Sequence, residues 1–276
     1  MLLITPLEGR VAVVTGSNKG IGYFIALQLG LSGLFQHICL ACRDLQLAQE
    51  AVASLKQQLP PEVQVSSAPL LLGDTTSHHE LAQTLEERYG KIDVLVNNAA
   101  MAFKQADPTP FLEQCSPTLN VNFRGTCDLT EQLLPLLRKG TDARIVNVAS
   151  MSGRLGQVSP ERQAQFAADD LTMEQLHALV DEFERDVLAG RHREKGWSNS
   201  NYGMSKLAVI AATKVWARRE PSINVNCCCP GYCKTDMTSQ KGLRDPADGA
   251  KNAVLPATME HPPTGEFFSD YGVASW

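Results

Sequence analysis

The chain has 276 residues, a net charge of −5 at pH 7 and 43% hydrophobic residues. This length is sufficient for one α/β domain with a large core, which we expect over residues 1–276. The negative charge and the lack of a long lysine or arginine run argue against a nucleic-acid or anionic-membrane partner. No apolar run approaches a membrane span, and residues 1–6 lack the basic start of a signal peptide and contain a proline. We therefore expect a cytoplasmic protein.

Strand-like and helix-like segments alternate along the chain, with no internal repeat and no linker. Strands are predicted at Arg10–Val14, His37–Ala41, Val63–Leu72, Ile92–Asn97, Arg144–Ala149, Ile223–Cys229 and Glu266–Ser269. Helices are predicted between them, for example at Leu45–Gln58, Ser77–Tyr89, Pro117–Leu137 and Tyr202–Arg219. This alternation predicts an α/β fold, a Rossmann-type doubly wound parallel sheet of about seven strands with helices on both faces. Ligands bind such sheets beyond the carboxyl ends of the strands.

The first predicted strand runs directly into a glycine-rich turn. Gly16, Gly20 and Gly22 follow the pattern G-x-x-x-G-x-G, which differs from the common G-x-G-x-x-G fingerprint. Glycines at a strand-to-helix turn let the backbone approach a pyrophosphate at the N-terminus of the helix. A glycine-rich turn without a ligand is the alternative. The loop residues expected to contact a dinucleotide are Gly16, Ser17, Asn18, Lys19, Gly20, Ile21 and Gly22.

Tyr202 is followed by a lysine four residues later, Lys206. On a helix this spacing places both side chains on one face, about one turn apart. Bringing a tyrosine pKa from about 10 to about 7 takes roughly 4 kcal/mol. A cation about 4 Å away, at an effective dielectric of about 20, supplies roughly that much. We therefore expect a general acid, although the spacing alone is not specific and depends on the glycine-rich turn for support.

Several segments, in this order, resemble the short-chain dehydrogenase/reductase family over nearly the whole chain. They are Thr15-Gly16-x-x-x-Gly20-x-Gly22, Asn97-Asn98-Ala99-Ala100, Ser150 after a strand, Tyr202-x-x-x-Lys206, and Pro230-Gly231 followed by Thr235. Within the family, the resemblance is strongest to monomeric NADPH-dependent carbonyl reductases. The segments that carry it are 122–126, 228–231, 235–237 and the long stretch before Tyr202.

The resemblance implies NADP(H) as the cofactor. NAD enzymes typically place a carboxylate after the second strand for the ribose 2′-hydroxyl, and Asp44 lies near the expected position. Arg43 could instead hold an adenosine 2′-phosphate as a planar fork, with Lys19 as a point charge. Carbonyl reductases carry this lysine and arginine before an aspartate, which implies that Asp44 faces away. Two solvated surface cations are the alternative.

Further cofactor contacts are implied by the same resemblance. Asp74 matches an adenine contact, Asn97 and Ala99 match the loop that passes the adenine ribose, and Thr235 matches the residue that bonds the carboxamide. The other expected contacts are Thr75, Asn98, Ala100, Tyr202, Lys206, Pro230, Gly231 and Met237.

The catalytic roles also follow from the resemblance. Tyr202 donates a proton to the substrate oxygen, and Ser150 hydrogen-bonds that oxygen and stabilises its developing charge. Lys206 lowers the tyrosine pKa and holds the nicotinamide ribose. Asn122 supports a water relay to the lysine, with Asn120 as the alternative. The expected substrate contacts are Ser150, Met151, Tyr202 and Tyr232.

The eight cysteines do not suggest a metal site or disulfides. Cys39 and Cys42 fall on opposite faces of a strand, and Cys227, Cys228 and Cys229 are consecutive in a strand, so they cannot converge on one ion. Reduced thiols are the better interpretation. Cys229, next to Pro230, is the one that could be reactive or contact a ligand.

Two tryptophans and two histidines have plainer interpretations. Trp197 and Trp276 are candidates for the substrate side, but packing in the core or at the surface is the expected role of each. His78 and His79 open a polar helix and are expected to be solvated.

The separation of Ser150 and Tyr202, 52 residues, is longer than in many members of the family. Ser159-Pro160 predicts a helix start, and Thr172-x-x-Gln175 is a capping box. One apolar helical face is predicted from Leu176, Val180, Phe183 and Val187. We expect an ordered helical insertion at about 157–197 that covers the surface through which oligomeric relatives associate, and therefore a monomer.

The resemblance implies an enzyme that reduces carbonyl groups of aldehydes, ketones and quinones with NADPH. One alternative is a dehydrogenase dedicated to a steroid, prostaglandin or terpenoid alcohol. The other is an NADP-binding sensor without turnover. An intact set of Asn122, Ser150, Tyr202 and Lys206 argues against the sensor.

Overall fold

A computed structural model describes residues 9–104 and 106–276. The strands are β1 Val11–Thr15, β2 His37–Cys42, β3 Gln64–Pro69, β4 Val94–Asn97, β5 Arg144–Val148, β6 Asn224–Cys228, β7 Phe267–Ser269 and β8 Gly272–Ala274. The α-helices are α1 Gly20–Leu31, α2 Leu45–Lys56, α3 Thr75–Tyr89, α4 Phe111–Leu119, α5 Thr126–Leu137, α6 Pro160–Phe166, α7 Met173–Leu188, α8 Asn201–Arg219 and α9 Pro246–Thr258. The expectation about a signal peptide at residues 1–6 lies outside the described residues.

The described residues form one eight-stranded sheet in the order β3-β2-β1-β4-β5-β6-β7-β8. All neighbouring strands pair in parallel except β7 and β8, which form an antiparallel hairpin. The predicted fold class is confirmed. The prediction missed β8, because three residues are too few to show an alternating pattern. The hairpin turns through Asp270 and Tyr271, which both have positive φ. Neither residue is a glycine, so the sequence did not predict a tight turn here.

Helices cover both faces of the sheet, and alternate residues of β1 point to opposite layers. Val11 and Val13 pack in the layer that contains α3, α5 and α8. Ala12 and Val14 pack in the layer that contains α1, α2 and α9. Such burial on both sides explains why the strands are continuous hydrophobic runs.

The predicted helix Pro117–Leu137 is wrong at its start and in its interior. The helical segment begins at Phe111, and a π-helix, Asn120–Gly125, separates α4 from α5. Apolar residues at helical spacing do not distinguish a π-helix from a continuous α-helix.

The insertion folds as predicted. Ser159 caps α6, and Thr172 and Gln175 exchange two hydrogen bonds, of 3.2 Å and 2.8 Å, in a capping box at the start of α7. The predicted apolar face of α7 is buried and contacts α4 and α8. Its buried residues include Leu176, Val180, Phe183 and Val187.

Trp197 and Trp276 both make packing contacts. Trp197 is buried against Phe166 and Phe183, and its Nε1 donates to Asp186 Oδ2 at 2.9 Å. Trp276 Nε1 donates to the carbonyl of Gly153 at 3.0 Å. These contacts agree with the expected packing roles.

His78 corrects an expectation. It is 1% exposed and hydrogen-bonds Asp128 of α5 through Nδ1, while His79 is exposed. The expectation of solvation is wrong for His78 because its side of α3 packs on α5, the side that also buries Leu81 and Leu85.

Across the described ranges, no helix is long and apolar enough to cross a membrane. The same residues contain no cluster of histidine, cysteine, aspartate and glutamate that could hold a metal ion. In the part of the chain that the structure covers, all eight cysteines are buried and none forms a disulfide.

Candidate active site

The glycine-rich turn between β1 and α1 lies in close contact with the segment that follows β4. A Cβ added to Gly16, whose φ is +62°, would lie 2.9 Å from Ala99 Cα. A Cβ added to Gly22 would lie 2.5 Å from Asn98 Nδ2, which itself donates to the carbonyls of Thr15 and Gly16. Side chains at these glycines would therefore displace the backbone on which the turn depends.

A cavity of about 730 Å³ runs along the carboxyl ends of the strands, beside this turn. The predicted residues that line it are Gly16, Asn18, Lys19, Gly20, Ile21, Gly22, Arg43, Asn98, Ala99, Ala100, Tyr202, Lys206, Pro230, Thr235 and Met237. A Cβ on Gly20 would lie 3.6 Å from Thr235 Cγ2, so the turn and the segment after β6 approach each other closely at the cavity that both line. The size, position and glycine backbone of this cavity fit a dinucleotide.

Five predicted cofactor contacts do not line the cavity: Ser17, Asp74, Thr75, Asn97 and Gly231. Ser17 is buried and its Oγ donates to the Val14 carbonyl at 2.7 Å, so its hydroxyl is turned into the core. Asp74 Oδ1 accepts hydrogen bonds from the N–H groups of Thr76 and Ser77 and caps α3. Ser17 and Asp74 each use a polar side-chain atom in a local hydrogen bond, and the contact of all five residues with a cofactor stays a prediction.

The sequence reasoning missed part of the wall. Leu70, Leu71, Leu72, Val121 and Met101 line the cavity. The three consecutive leucines were assigned to a strand, but β3 ends at Pro69. The apolar run continues past the end of β3 toward the edge of the sheet where a ligand was expected. This continuation is the sequence feature that could have indicated the cavity wall.

Arg43 and Lys19 both lie at the cavity wall and are exposed. Lys19 Nζ forms an ion pair of 2.5 Å with Asp236 Oδ2, a partner that the sequence did not indicate. The Asp44 carboxylate accepts from Leu47 N at 3.1 Å and caps α2. Asp44 itself lines the cavity beside Arg43, so the expectation that it faces away from the cofactor stays a prediction.

Tyr202 stands in the first turn of α8, which begins where Ser200 Oγ accepts from Gly203 N at 2.9 Å. Ser150, two residues after β5, lies close enough to the Tyr202 hydroxyl to lower its pKa. One turn further along, Lys206 is buried, and its Nζ donates to the Val148 carbonyl at 2.7 Å. The lysine Nζ lies 5.7 Å from the centroid of the tyrosine ring.

The electrostatics of this pair differ from the expectation. Burial raises the pKa of Tyr202 to about 12, as would charge on the nearby Cys229, while the Ser150 hydrogen bond lowers it. Burial lowers the pKa of Lys206 to about 8. The expectation that Lys206 brings the tyrosine pKa to neutrality is wrong for the protein by itself. The reason is that desolvation disfavours the phenolate and that the ammonium is directed at Val148.

Asn122 is buried inside the π-helix, whereas Asn120 is exposed and bonded to Arg124. The Asn122 Oδ1 accepts from Met101 N at 2.8 Å, and its Nδ2 donates to Met101 O at 2.9 Å and to Ser205 Oγ at 3.1 Å. Of the two asparagines that the sequence offered, the structure places Asn122 against the helix that carries Tyr202.

Three expected substrate contacts, Ser150, Met151 and Tyr232, are not among the residues that line the cavity. Met151 and Tyr232 are 42% and 56% exposed, and the contact of all three with substrate stays a prediction. Cys229 is buried, and its Sγ accepts a hydrogen bond from Gly231 N at 3.3 Å. Its reactivity likewise stays a prediction.

The sequence profile of the family described as short chain dehydrogenase matches residues 10–180 and 188–245. The chain belongs to this family. The expected family is confirmed, and the chain is thus a short-chain oxidoreductase. The seven residues between the two matched ranges lie inside α7, in the insertion.

Relatives within the short-chain dehydrogenase family cover nearly the whole chain. Carbonyl reductase (NADPH) 1 from Homo sapiens is 40% identical over 281 residues, 97% of this chain and 98% of the relative. The protein of that name from Sus scrofa is 38% identical over 280 residues, 97% of this chain and 94% of the relative.

Two solved structures are also similar to this chain. Salutaridine reductase from Papaver somniferum has a TM-score of 0.85 and 32% identity, over 95% of this chain and 99% of that one. Menthone neomenthol reductase from Mentha piperita has a TM-score of 0.76 and 30% identity, over 95% and 98%.

Proposed function

We propose that this short-chain dehydrogenase reduces carbonyl groups of small molecules, namely aldehydes, ketones and quinones, to alcohols with NADPH. The observation that carries the proposal is the position of Tyr202, Ser150 and Lys206. Tyr202 and Lys206 line the cavity that the glycine-rich turn and Arg43 also line, and Ser150 lies close enough to the Tyr202 hydroxyl to lower its pKa. Bound NADPH supplies the hydride to the carbonyl carbon.

In this proposal the protein supplies the proton and stabilises the oxygen. A tyrosine with a pKa of about 12 is fully protonated near pH 7, so Tyr202 enters the reaction as a donor. The Ser150 hydroxyl, next to the phenol, would donate a second hydrogen bond to the substrate oxygen as negative charge develops there. Catalysis by Tyr202 and Ser150 requires that their hydrogen bonds to the substrate oxygen are stronger in the transition state than in the ground state.

Lys206 and Asn122 complete the proposed catalytic set. Lys206 has a pKa lowered to about 8 by burial, which suits it to proton exchange near neutral pH. Asn122 lies one helix away and bonds Ser205, the neighbour of Lys206 in the chain. We propose that Lys206 also holds the nicotinamide ribose and that Asn122 supports proton supply to it.

The cations of the cavity support NADPH over NADH. Arg43, whose planar guanidinium suits a 2′-phosphate, and Lys19 of the glycine-rich turn both line the cavity. Asp44 is engaged in capping α2. The names of the human and porcine relatives include NADPH, which supports the same cofactor here.

A second candidate is a reductase or dehydrogenase dedicated to one natural alcohol or ketone. The observation that favours it is the similarity to salutaridine reductase and menthone neomenthol reductase, each named for particular substrates. An NADP-binding sensor without turnover is less well supported, because such a protein has no need to retain Ser150 close to the Tyr202 hydroxyl.

A panel of aldehydes, ketones, quinones and terpenoid ketones, assayed by the loss of NADPH absorbance, tests the proposal. Similar kcat/KM values across chemical classes support the broad reductase, and turnover of one class supports the dedicated enzyme. Tyr202→Phe should lower kcat at least about 100-fold, because a general acid is lost while the ring remains.

The matched control is Tyr89→Phe, which removes a phenol hydroxyl that is bonded to Ser66 at 2.7 Å and does not line the cavity. We expect the control to keep wild-type kcat, and both variants to bind NADPH. Near wild-type turnover of Tyr202→Phe would refute the assignment of the proton donor.

A further inference from the structure

The insertion helix α7 is tied to the π-helix through Arg124. Arg124 Nη2 donates to Asp181 Oδ1 at 2.5 Å and to Glu184 Oε2 at 2.6 Å. Burial opposes the charge on Arg124, but the hydrogen bonds to both carboxylates raise its pKa overall. The Arg124 side chain is 26% exposed and that of Glu184 18%, so solvent screens this contact less than it screens a surface pair.

The same arginine spans the π-helix itself. Arg124 Nη1 donates to Asn120 Oδ1 at 2.8 Å, so the guanidinium connects the first turn of the π-helix with α7. The preceding residue, Phe123, is buried with its ring centroid 4.8 Å from that of His177 in α7. A π-helix is a rare conformation that needs support from its surroundings, and here two successive side chains receive that support from the insertion.

Asn122 directly precedes Phe123 and Arg124 in the π-helix and makes contacts on both sides of the candidate site. Its carboxamide makes two hydrogen bonds with the Met101 backbone, and Met101 lines the cavity. Its Nδ2 also donates to Ser205 Oγ, and that hydroxyl donates to the Tyr202 carbonyl at 2.8 Å. A rotation of the π-helix would therefore shift Asn122 relative to Tyr202 and Lys206.

We propose that Arg124, held by Asp181 and Glu184, is a positioning residue that keeps Asn122 in register with the helix of Tyr202 and Lys206. The inference rests on the proposed function. It gives the insertion a role in turnover besides covering apolar surface. The contacts run from α7 through Arg124 to the π-helix, and from Asn122 to α8.

The test compares Arg124→Met with Arg124→Lys and with the double variant Asp181→Asn, Glu184→Gln. We expect Arg124→Met and the double variant to lower kcat about tenfold, because small displacements of reacting groups are costly. The substrate KM and the Kd for NADPH should stay within about twofold of wild type. Arg124→Lys, which keeps the charge, should restore part of kcat.

Glu182→Gln is the matched control. Glu182 lies on the same helix and pairs with Arg162 of α6 at 2.6 Å, away from the π-helix. We expect this variant to keep wild-type kcat although it also removes one carboxylate from α7. The active fraction of every variant is measured by titration with NADPH, so that unfolded protein does not count as lost turnover.

Wild-type kcat per active site in Arg124→Met would overturn the proposal, as would an equal loss in Glu182→Gln. If Arg124→Met does not fold, the nearly isosteric double variant Asp181→Asn, Glu184→Gln takes its place. Wild-type kcat per active site in that variant would then overturn the proposal. Tyr202→Phe is assayed in parallel. Normal turnover of that variant would refute the proton-donor assignment, whereas a defect in it together with a normal Arg124→Met would refute only the role of Arg124.

Discussion

Lys206 should give the protein a distinctive dependence of stability on pH. Burial lowers its pKa from the ordinary value of 10.5 to about 8. Between these two values the unfolded chain holds a proton that the folded protein has released, so the free energy of unfolding rises with pH. Below about pH 8 the folded state carries the full cost of a buried ammonium. The difference in pKa corresponds to about 3 kcal/mol.

Lys206→Met removes the titration and keeps the length of the side chain. At pH 7 the variant avoids the cost of the buried ammonium, which lowers the free energy of unfolding of the wild type by about 3 kcal/mol. At pH 9.5 the cost that it avoids is only about 1 kcal/mol. The lost hydrogen bond to Val148 costs about 1–3 kcal/mol, but at every pH alike. The wild type should therefore gain about 2 kcal/mol relative to the variant between pH 7 and pH 9.5.

Urea denaturation of the cofactor-free proteins, followed by tryptophan fluorescence at several pH values from 7 to 9.5, measures this difference. The other titrating groups are common to both proteins and cancel in the comparison. Parallel profiles, with a constant difference between the two free energies of unfolding, would refute the inference that burial controls the ionisation of Lys206. A difference that changes in the opposite direction would refute it as well.

Two other predictions concern the cofactor and the assembly. Arg43→Ala should weaken NADPH by at least about tenfold while NADH changes little, because a charge-assisted hydrogen bond is lost only with the phosphorylated cofactor. Equal weakening of both, in a fluorescence titration, would show that Arg43 does not contact the 2′-phosphate. Light scattering should give the 30.1 kDa mass of a monomer at micromolar concentration, because α7 buries its apolar face on α4 and α8. A stable dimer would mean that the insertion extends an interface.

Several features of this protein were predictable because they depend on residues close together in the chain. The strand of Val11–Val14, the glycines that follow it and the capping box at Thr172 are local patterns, and the structure contains each of them. The parallel sheet follows from their alternation with helices, since parallel strands require crossover connections. The order of Ser150, Tyr202 and Lys206 along the chain was sufficient to expect one site, because strand ends and helix starts meet at one edge of such a sheet.

Other features depend on partners that are distant in the chain, and those were decided by the tertiary structure. His78 is a polar residue that is turned inward, because Asp128 of α5, fifty residues away, offers it a hydrogen bond. The π-helix that holds Asn122 is supported by α7, more than fifty residues away in the sequence.

The ionisation of Tyr202 shows the same division between sequence and structure. The spacing to Lys206 predicts a shared helix face, and α8 contains both residues. The direction of the pKa change depends on burial and on where the ammonium points, and the ammonium points to Val148. Desolvation and hydrogen-bond geometry arise only when the chain is packed, so no local pattern in the sequence contains them.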